Sequence, residues 1–449
     1  MWFLKIVHHI NILGKKNRNS KFRFCRWILD ISGQWLLIIC ALHTSTTRSV
    51  QKSRCCLWPL WCSRVHKENE RVRRGSSRTL EIQITNKHTP VPKQWGKFIS
   101  NQNNKVNLSR FFCREWCSLG EYNLLPDQEL VIRGGFEDPT DAVVVTRGRT
   151  VPLAELRSDN EEADTRMILH AWHASSSKER IVIQSPDTDV AVLAIHAHQM
   201  IQCNEIAFKT GVKHKVHFVP VHLIAEKLGR SVSASIPAFH ALTSCDSTSG
   251  LFQIGKKKGW KVFVKYLSLH DSVCNLGRQI PPPALTVEAS ERFICSPYTT
   301  NKKTWVTADD VRYWMFCQKH QRSESLPPTS NSLRHHIECA NYQAYVWKHC
   351  LNATQQLPSR VSNGWKKLDD VLEPLFMSKD PAPQELLELT TYKCTKSVCR
   401  RDDLCPCKAH EIPCTEACLC TYDESCQNPH KPVVVTPGSS EDELTDADV

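Results

Sequence analysis

Between residues 160 and 230 the hydrophobic pattern alternates between helical and strand periods. Ala163, Met167, His170 or Ala171, and Ala174 recur at helical spacing and predict a helix over 163–174. The apolar run Ile181–Ile183 then reads as a short buried strand of the parallel type. Val190–Met200 returns to a helical pattern. Strands are predicted at Ile206–Lys209 and Val216–Val219, with a helix near Val221–Leu228. Upstream, Pro90–Ile99 reads as a turn and an amphipathic helix. Leu108–Trp116 reads as a second helix with Asn107 as its cap. Glu129–Ile132 and Ala142–Val145 read as strands around the Gly134-Gly135 turn. Downstream the clearest helices are Ala308–His320 and Ser332–Asn352, with breaks at Pro281–Pro283 and Pro327-Pro328. The pattern predicts an α/β domain followed by a helical region.

Acidic residues stand at the boundaries of these elements. Glu162 and Asp164 open the helix over 163–174, where the positive end of the dipole favours carboxylates. Asp187 and Asp189 directly follow the strand 181–183, and in open α/β sheets sites form beyond the carboxyl ends of strands. Asp246 precedes the Gly-containing segment Gln253–Lys256. Carboxylates brought together repel unless cations hold them. Hard ions such as Mg²⁺ or Mn²⁺ take oxygen ligands, and two of them about 4 Å apart clamp both oxygens of a phosphodiester in displacement. The constellation points to metal-assisted phosphodiester hydrolysis; the alternative for each Asp singly is a helix cap or a solvated face. His240, between Phe239 and Ala241, either orients a carboxylate or phosphate or is a satisfied core histidine.

The order Glu-Ala-Asp (162–164), Asp-Thr-Asp (187–189), Ser-Cys-Asp (244–246) and Ile-Gly-Lys (254–256) resembles the second half of the flap endonuclease and XPG-type nucleases of the PIN-like superfamily. The match is closer to a divergent, partly transposon-related animal group. That group's words resemble HEEADTR, DTDV, HALTGCDTTS and GKKTAW, found here at Glu161–Arg166, Asp187–Val190, His240–Ser249 and Gly255–Trp260. The resemblance runs from about Arg73 to Asn428. It implies a PIN-like parallel sheet with flanking helices, and catalytic roles for Glu162, Asp164, Asp187, Asp189 and Asp246. Two departures bear on activity. Ser244 stands where the group has Gly, and the early Asp that the family places on its first strand has no counterpart. Residues 1–72 hold only Asp30, Glu68 and Glu70 as acids, none in a strand–Asp–Gly context. Two functions stay open: a structure-directed nuclease, or a non-catalytic nucleic-acid- or protein-binding descendant of one.

Charge refines this picture. The net charge is +12, but residues 1–80 carry 16 Lys and Arg against 3 acids, leaving the remainder near neutral. The basic excess therefore belongs to the atypical N-terminal segment 1–72. Its apolar run Trp35–Leu42 is far below the roughly 20 residues a membrane span needs. No secretion signal and no membrane span are expected; an interfacial anchor or sequence foreign to the ancestral domain are the alternatives there. The lysines that bear on nucleic acid lie elsewhere. Gly255, Lys256, Lys257 and Lys258 are read as a turn whose backbone and charges grip a DNA or RNA backbone, against an ordinary solvated lysine cluster. His335, His336 and Cys339 form a helical cluster read as structural.

Eight of the 22 cysteines fall within 33 residues: Cys394, Cys399, Cys405, Cys407, Cys414, Cys418, Cys420 and Cys426. Paired Cys-x-Cys units on short loops suit thiolates around Zn²⁺, and metal would supply the folding energy of so apolar-poor a segment. The alternative is a disulfide knot. The segment resembles one tesmin-type CXC repeat, lacking one opening cysteine because Tyr392 stands in its place; that resemblance implies zinc. The expected organisation is a basic segment 1–72, a nuclease-type domain 73–270, a helical region 271–390, a zinc module 391–428 and a disordered acidic tail 429–449. An intracellular, nuclear location goes with this reading.

Overall fold

The computed structural model describes most of residues 101–380, strands at 38–42 and 51–56, and short pieces near 81–84, 406–409 and 426–429. Two compact units emerge. The first comprises Met1–Gly250, Gly255–Ser290 and His335–Leu375; the second comprises Leu251–Ile254, Glu291–Arg334 and Phe376–Val449.

The first unit is built on an eight-stranded sheet of order β5-β4-β3-β2-β1-β6-β7-β8. The strands are β1 (Ile38–Leu42), β2 (Gln51–Cys56), β3 (Glu129–Arg133), β4 (Ala142–Thr146), β5 (Arg149–Pro152), β6 (Arg180–Gln184), β7 (Glu205–Thr210) and β8 (His217–Pro220). The expected parallel sheet is corrected here: the sheet is mixed. Only β2–β3 and β6–β7 pair parallel; the other five neighbouring pairs are antiparallel. Connection length explains this. The link from β4 to β5 is Arg147-Gly148, with Gly148 at φ 83°, and so short a link can only reverse the chain. Between β6 and β7 a whole helix intervenes, which permits the parallel crossover. β1 lies between β2 and β6, where an interfacial anchor was one reading of the apolar run, and its sequence Ile-Ile-Cys-Ala-Leu carries no acid.

Helices α1 (Gln102–Asn123) and α2 (Ala163–Ser175) cover opposite faces of β3 and β4. Phe112, Cys113 and Trp116 pack with Ile132 and Val145 on one face. Leu169 packs with Val131, Ala142 and Leu156 on the other. Alternate residues of each strand thus reach different helices, as the pleat requires. The cap of α1 is Asn101, whose Oδ1 accepts from the backbone N–H of Asn103 and Asn104; Asn107, expected as the cap, is inside the helix. Helix α3 (Thr188–Ala197) is continuously apolar from Val190 to Ile195, and those residues are all buried, as such a stretch must be. Helix α4 (Val221–Leu242) runs far beyond the predicted 221–228. A break at Gly229, φ 74°, carries the chain on through Pro237. Helix α5 spans Lys256–Lys265, and α6 spans Ala284–Cys295. The helices α7 (Ala308–Gln318) and α8 (Ser330–Lys348) match the two predicted downstream. In the first unit α8 is fixed tightly: Gly277 N–H donates to Asn341 Oδ1 at 2.7 Å, and Lys348 Nζ donates to the carbonyls of Cys274 and Leu276 at 2.6 Å each.

In the second unit Asp309 and Ser330 bond reciprocally, each capping the other's helix start. Ser330 N–H donates to Asp309 Oδ1 at 2.9 Å, and Asp309 N–H to Ser330 Oγ at 3.3 Å. The expected cysteine module lies mostly outside the described residues; Cys394, Cys399, Cys405, Cys418 and Cys420 are among those not described. Cys407, Cys414 and Cys426 are buried, and Asn428 Nδ2 donates to Cys414 Sγ at 3.3 Å. Of the expected segments 1–72 and 429–449, only the two strands and residue 429 are described. No described helix is long and apolar enough to cross a membrane.

Candidate metal centre

Three aspartates converge where α2 and α3 begin. Asp164 sits in the first turn of α2, Asp187 is the N-cap of α3, and Asp189 is in its first turn. One carboxylate oxygen from each lies within 4.8 Å of the others. The sequence places them there for separate reasons. β6 delivers Asp187 at its carboxyl end, with Asp187 N–H donating to Ser185 Oγ at 3.0 Å. Asp187 then caps α3, its Oδ1 accepting from Asp189 N–H at 2.9 Å. Asp164 and Asp189 are buried, and Asp187 is half-buried.

Such a cluster carries a repulsion that something must offset. At 4.8 Å and an effective dielectric near 20, each ionised pair costs roughly 3 kcal/mol. Two features soften it: helix N-termini point at the carboxylates, and His240 reaches in from α4, its Nε2 2.9 Å from Asp189 Oδ1. His240 thus meets a carboxylate, the more specific of its two expected readings. A bound divalent ion would offset the repulsion most directly. Three close oxygen donors fit Mg²⁺ or Mn²⁺ and do not select for softer metals.

The two other acids of the expected set do not join. Glu162 is buried at the N-terminus of α2 but turns away from its own helix. Its Oε1 accepts from Gln343 Nε2 at 3.0 Å and its Oε2 from Trp347 Nε1 at 2.9 Å, both on α8. Asp246 is exposed in the turn after α4 and lies outside the cluster. Its neighbour Cys245 faces inward: its Sγ lies 3.1 Å from Thr248 Oγ1, and burial pushes its thiol pKa up. Ser244 adopts φ 104°, a backbone conformation that favours glycine, so serine there is strained.

The lysine segment also differs from expectation. Gly255 does not make a hairpin turn. Its carbonyl accepts from Lys258 and Gly259 N–H, and Lys256–Lys258 form the first turn of α5. Lys256 folds inward: its Nζ donates to the His240 carbonyl at 2.9 Å and to Thr243 Oγ1 at 3.2 Å. Burial lowers its pKa to about 8, against the opposing pull of Cys245 and Asp189. Of the three lysines, Lys257 and Lys258 are exposed and Lys256 is half-buried. Gly259 earns its place by packing, 3.4 Å from Thr243 and 3.6 Å from the Phe239 ring as measured from an added Cβ. His336, grouped by sequence with His335 and Cys339, donates from Nε2 to the Leu242 carbonyl over 2.9 Å, a structural contact.

Sequence reading missed Gln343 and Trp347 altogether. They lie 181 and 185 residues from Glu162, and no local pattern marks them. No protein-family model, curated protein or solved structure matches this chain.

Proposed function

We propose that the chain binds one divalent cation through Asp164, Asp187 and Asp189 and acts on nucleic-acid phosphodiesters as a nuclease-type protein of reduced power. The convergence of the three carboxylates at the ends of β6, α2 and α3 is the observation that supports it. When bound, the ion would supply Lewis-acid polarisation of a phosphoryl oxygen or activation of a water. The protein's own part is positional. Asp187 is held by its capping bond, and Asp189 by His240. Lys257 and Lys258 contribute positive charge for the sugar–phosphate backbone, without sequence reading. A PIN-like ancestry of this α/β unit belongs to the same proposal.

A second reading is favoured by a specific observation. Glu162 is committed to α8 and Asp246 lies outside the cluster, so the described residues furnish one three-carboxylate cluster where a two-ion mechanism needs ligands for both ions. On that reading the protein is a non-catalytic nucleic-acid or protein binder. Its buried Cys407, Cys414 and Cys426 would belong to a zinc module with Cys394, Cys399, Cys405, Cys418 and Cys420. Mn²⁺ titration and cleavage of flap and single-stranded DNA on one preparation separate the two. Binding with little cleavage supports the reduced nuclease, and absence of Mn²⁺ binding leaves only the binder. Zinc content of the full chain before and after chelation tests the module.

A further inference from the structure

Glu162 is buried, and both its carboxylate oxygens are taken by donors from a distant helix. The network continues on either side. Gln343 Oε1 accepts from Ser247 Oγ at 2.7 Å, which reaches the turn carrying Cys245 and Asp246. The Trp347 ring lies against the His240 imidazole, 5.6 Å between centroids, and that imidazole bonds Asp189. Two residues of one helix thus touch the start of α2, the turn after α4 and the histidine behind the cluster. Glu161, beside Glu162, is also held from the C-terminal side, by Arg360.

We infer that Glu162 is a positioning residue rather than a metal ligand, and that Gln343 and Trp347 act through it and through His240 to set Asp164 against Asp189. The inference rests on the proposed cation site. It reassigns an acid that the sequence motif groups with the ligands, and gives a role in the site to two residues that no motif contains.

The hydrogen-bond inventory supplies a discriminating variant. In Glu162→Gln the new amide oxygen can accept from Trp347 Nε1–H. Its amide nitrogen can donate to Gln343 Oε1 once that side chain flips. The flipped Gln343 nitrogen then donates to Ser247 Oγ, a hydroxyl that accepts as readily as it donates. Every polar atom of the network stays paired, although the negative charge is gone. In Trp347→Phe, by contrast, one oxygen of a buried carboxylate loses its donor.

The test is Mn²⁺ titration of the full chain by calorimetry, with circular dichroism confirming fold. Mn²⁺ is chosen because it favours oxygen ligands over the cysteines. Glu162→Gln should bind within about 2-fold of wild type, the scatter of neutral substitutions. Trp347→Phe should bind roughly 10-fold more weakly, as loss of an outer-shell partner does, and Asp164→Asn more weakly still. If Glu162→Gln loses affinity as severely as Asp164→Asn, Glu162 is a ligand and the inference is overturned. Unfolding of Glu162→Gln overturns it too, because the re-paired network was to preserve the fold. A wild-type chain that binds no Mn²⁺ removes the cation reading itself, and with it this inference; that failure is distinguished by the silence of the wild type.

Discussion

Helices α2 and α3 both open with an acid, one intervening residue and a second acid, yet the two starts are used differently. At α3 the first acid, Asp187, caps its own helix and stays beside Asp189. At α2 the first acid, Glu162, makes no side-chain cap and is drawn to Gln343 and Trp347. Side-chain length contributes. An Asp at the N-cap reaches back to the N–H two residues on, whereas Glu is long enough to span to another helix. The lesson is that equal local patterns acquire unequal chemistry from what packs against them. One start supplies both its carboxylates to the cluster, and the other supplies only Asp164.

Breaking the comparison at the cluster should produce the largest effect. Loss of an outer-shell partner already costs roughly 10–100-fold in metal affinity, so Asp189→Asn, which alters a proposed ligand, should weaken Mn²⁺ binding by more than about 100-fold. Equal binding in the variant would remove α3 from the site.

The docking of α8 offers the next lever. A Cβ at Gly277, φ 75°, would come within 2.5 Å of the Ala344 backbone. Gly277→Ala combines that clash with a left-handed backbone and should destabilise the protein by about 2–4 kcal/mol, read by urea unfolding. A neutral result would mean α8 is not seated against this segment.

Lys348, at the end of α8, sharpens the same point through pH. Burial lowers its pKa from 10.5 to about 8. The unfolded chain therefore binds the proton more tightly than the native state. The resulting penalty is full below about pH 8 and is relieved as pH rises towards 10.5. Wild-type stability should thus rise relative to Lys348→Met across that window and run parallel below it. A constant difference from pH 7 to 10 would contradict the desolvated placement of this ammonium.

The smallest effect is at the strained turn. Ser244→Gly should relieve the positive φ and, net of the entropic cost of glycine, stabilise by about 0.5–1 kcal/mol. Asp246→Asn, two residues on and exposed, should leave Mn²⁺ affinity within about 2-fold.

Much of this was legible in the chain because it is local. The periodicity over 163–174, the apolar run 181–183 and the acids at their ends mark α2, β6 and α3 closely. Other features were not legible because they depend on distant partners. Nothing near Lys256 says that its ammonium will cap the His240 carbonyl rather than meet phosphate. Nothing near Glu162 announces Trp347. The antiparallel β1–β6 pairing joins strands from distant parts of the chain, and local periodicity is blind to strand direction. The predicted helix near Val221–Leu228 ends at the Gly229 kink, and a second helical half forms beyond it, through Pro237, because Ile236, Ala238, Phe239 and Leu242 are buried there.

The proposed function requires one cation held by Asp164, Asp187 and Asp189 and weak hydrolytic power. Its most direct test is Mn²⁺ calorimetry paired with cleavage of a flap DNA on the same wild-type and Asp189→Asn preparations. The expected result is about one Mn²⁺ per chain in the wild type, lost in the variant, with slow or no cleavage. Robust cleavage that vanishes in Asp189→Asn would contradict the reduced-power claim, and absence of Mn²⁺ binding in the wild type would contradict the site.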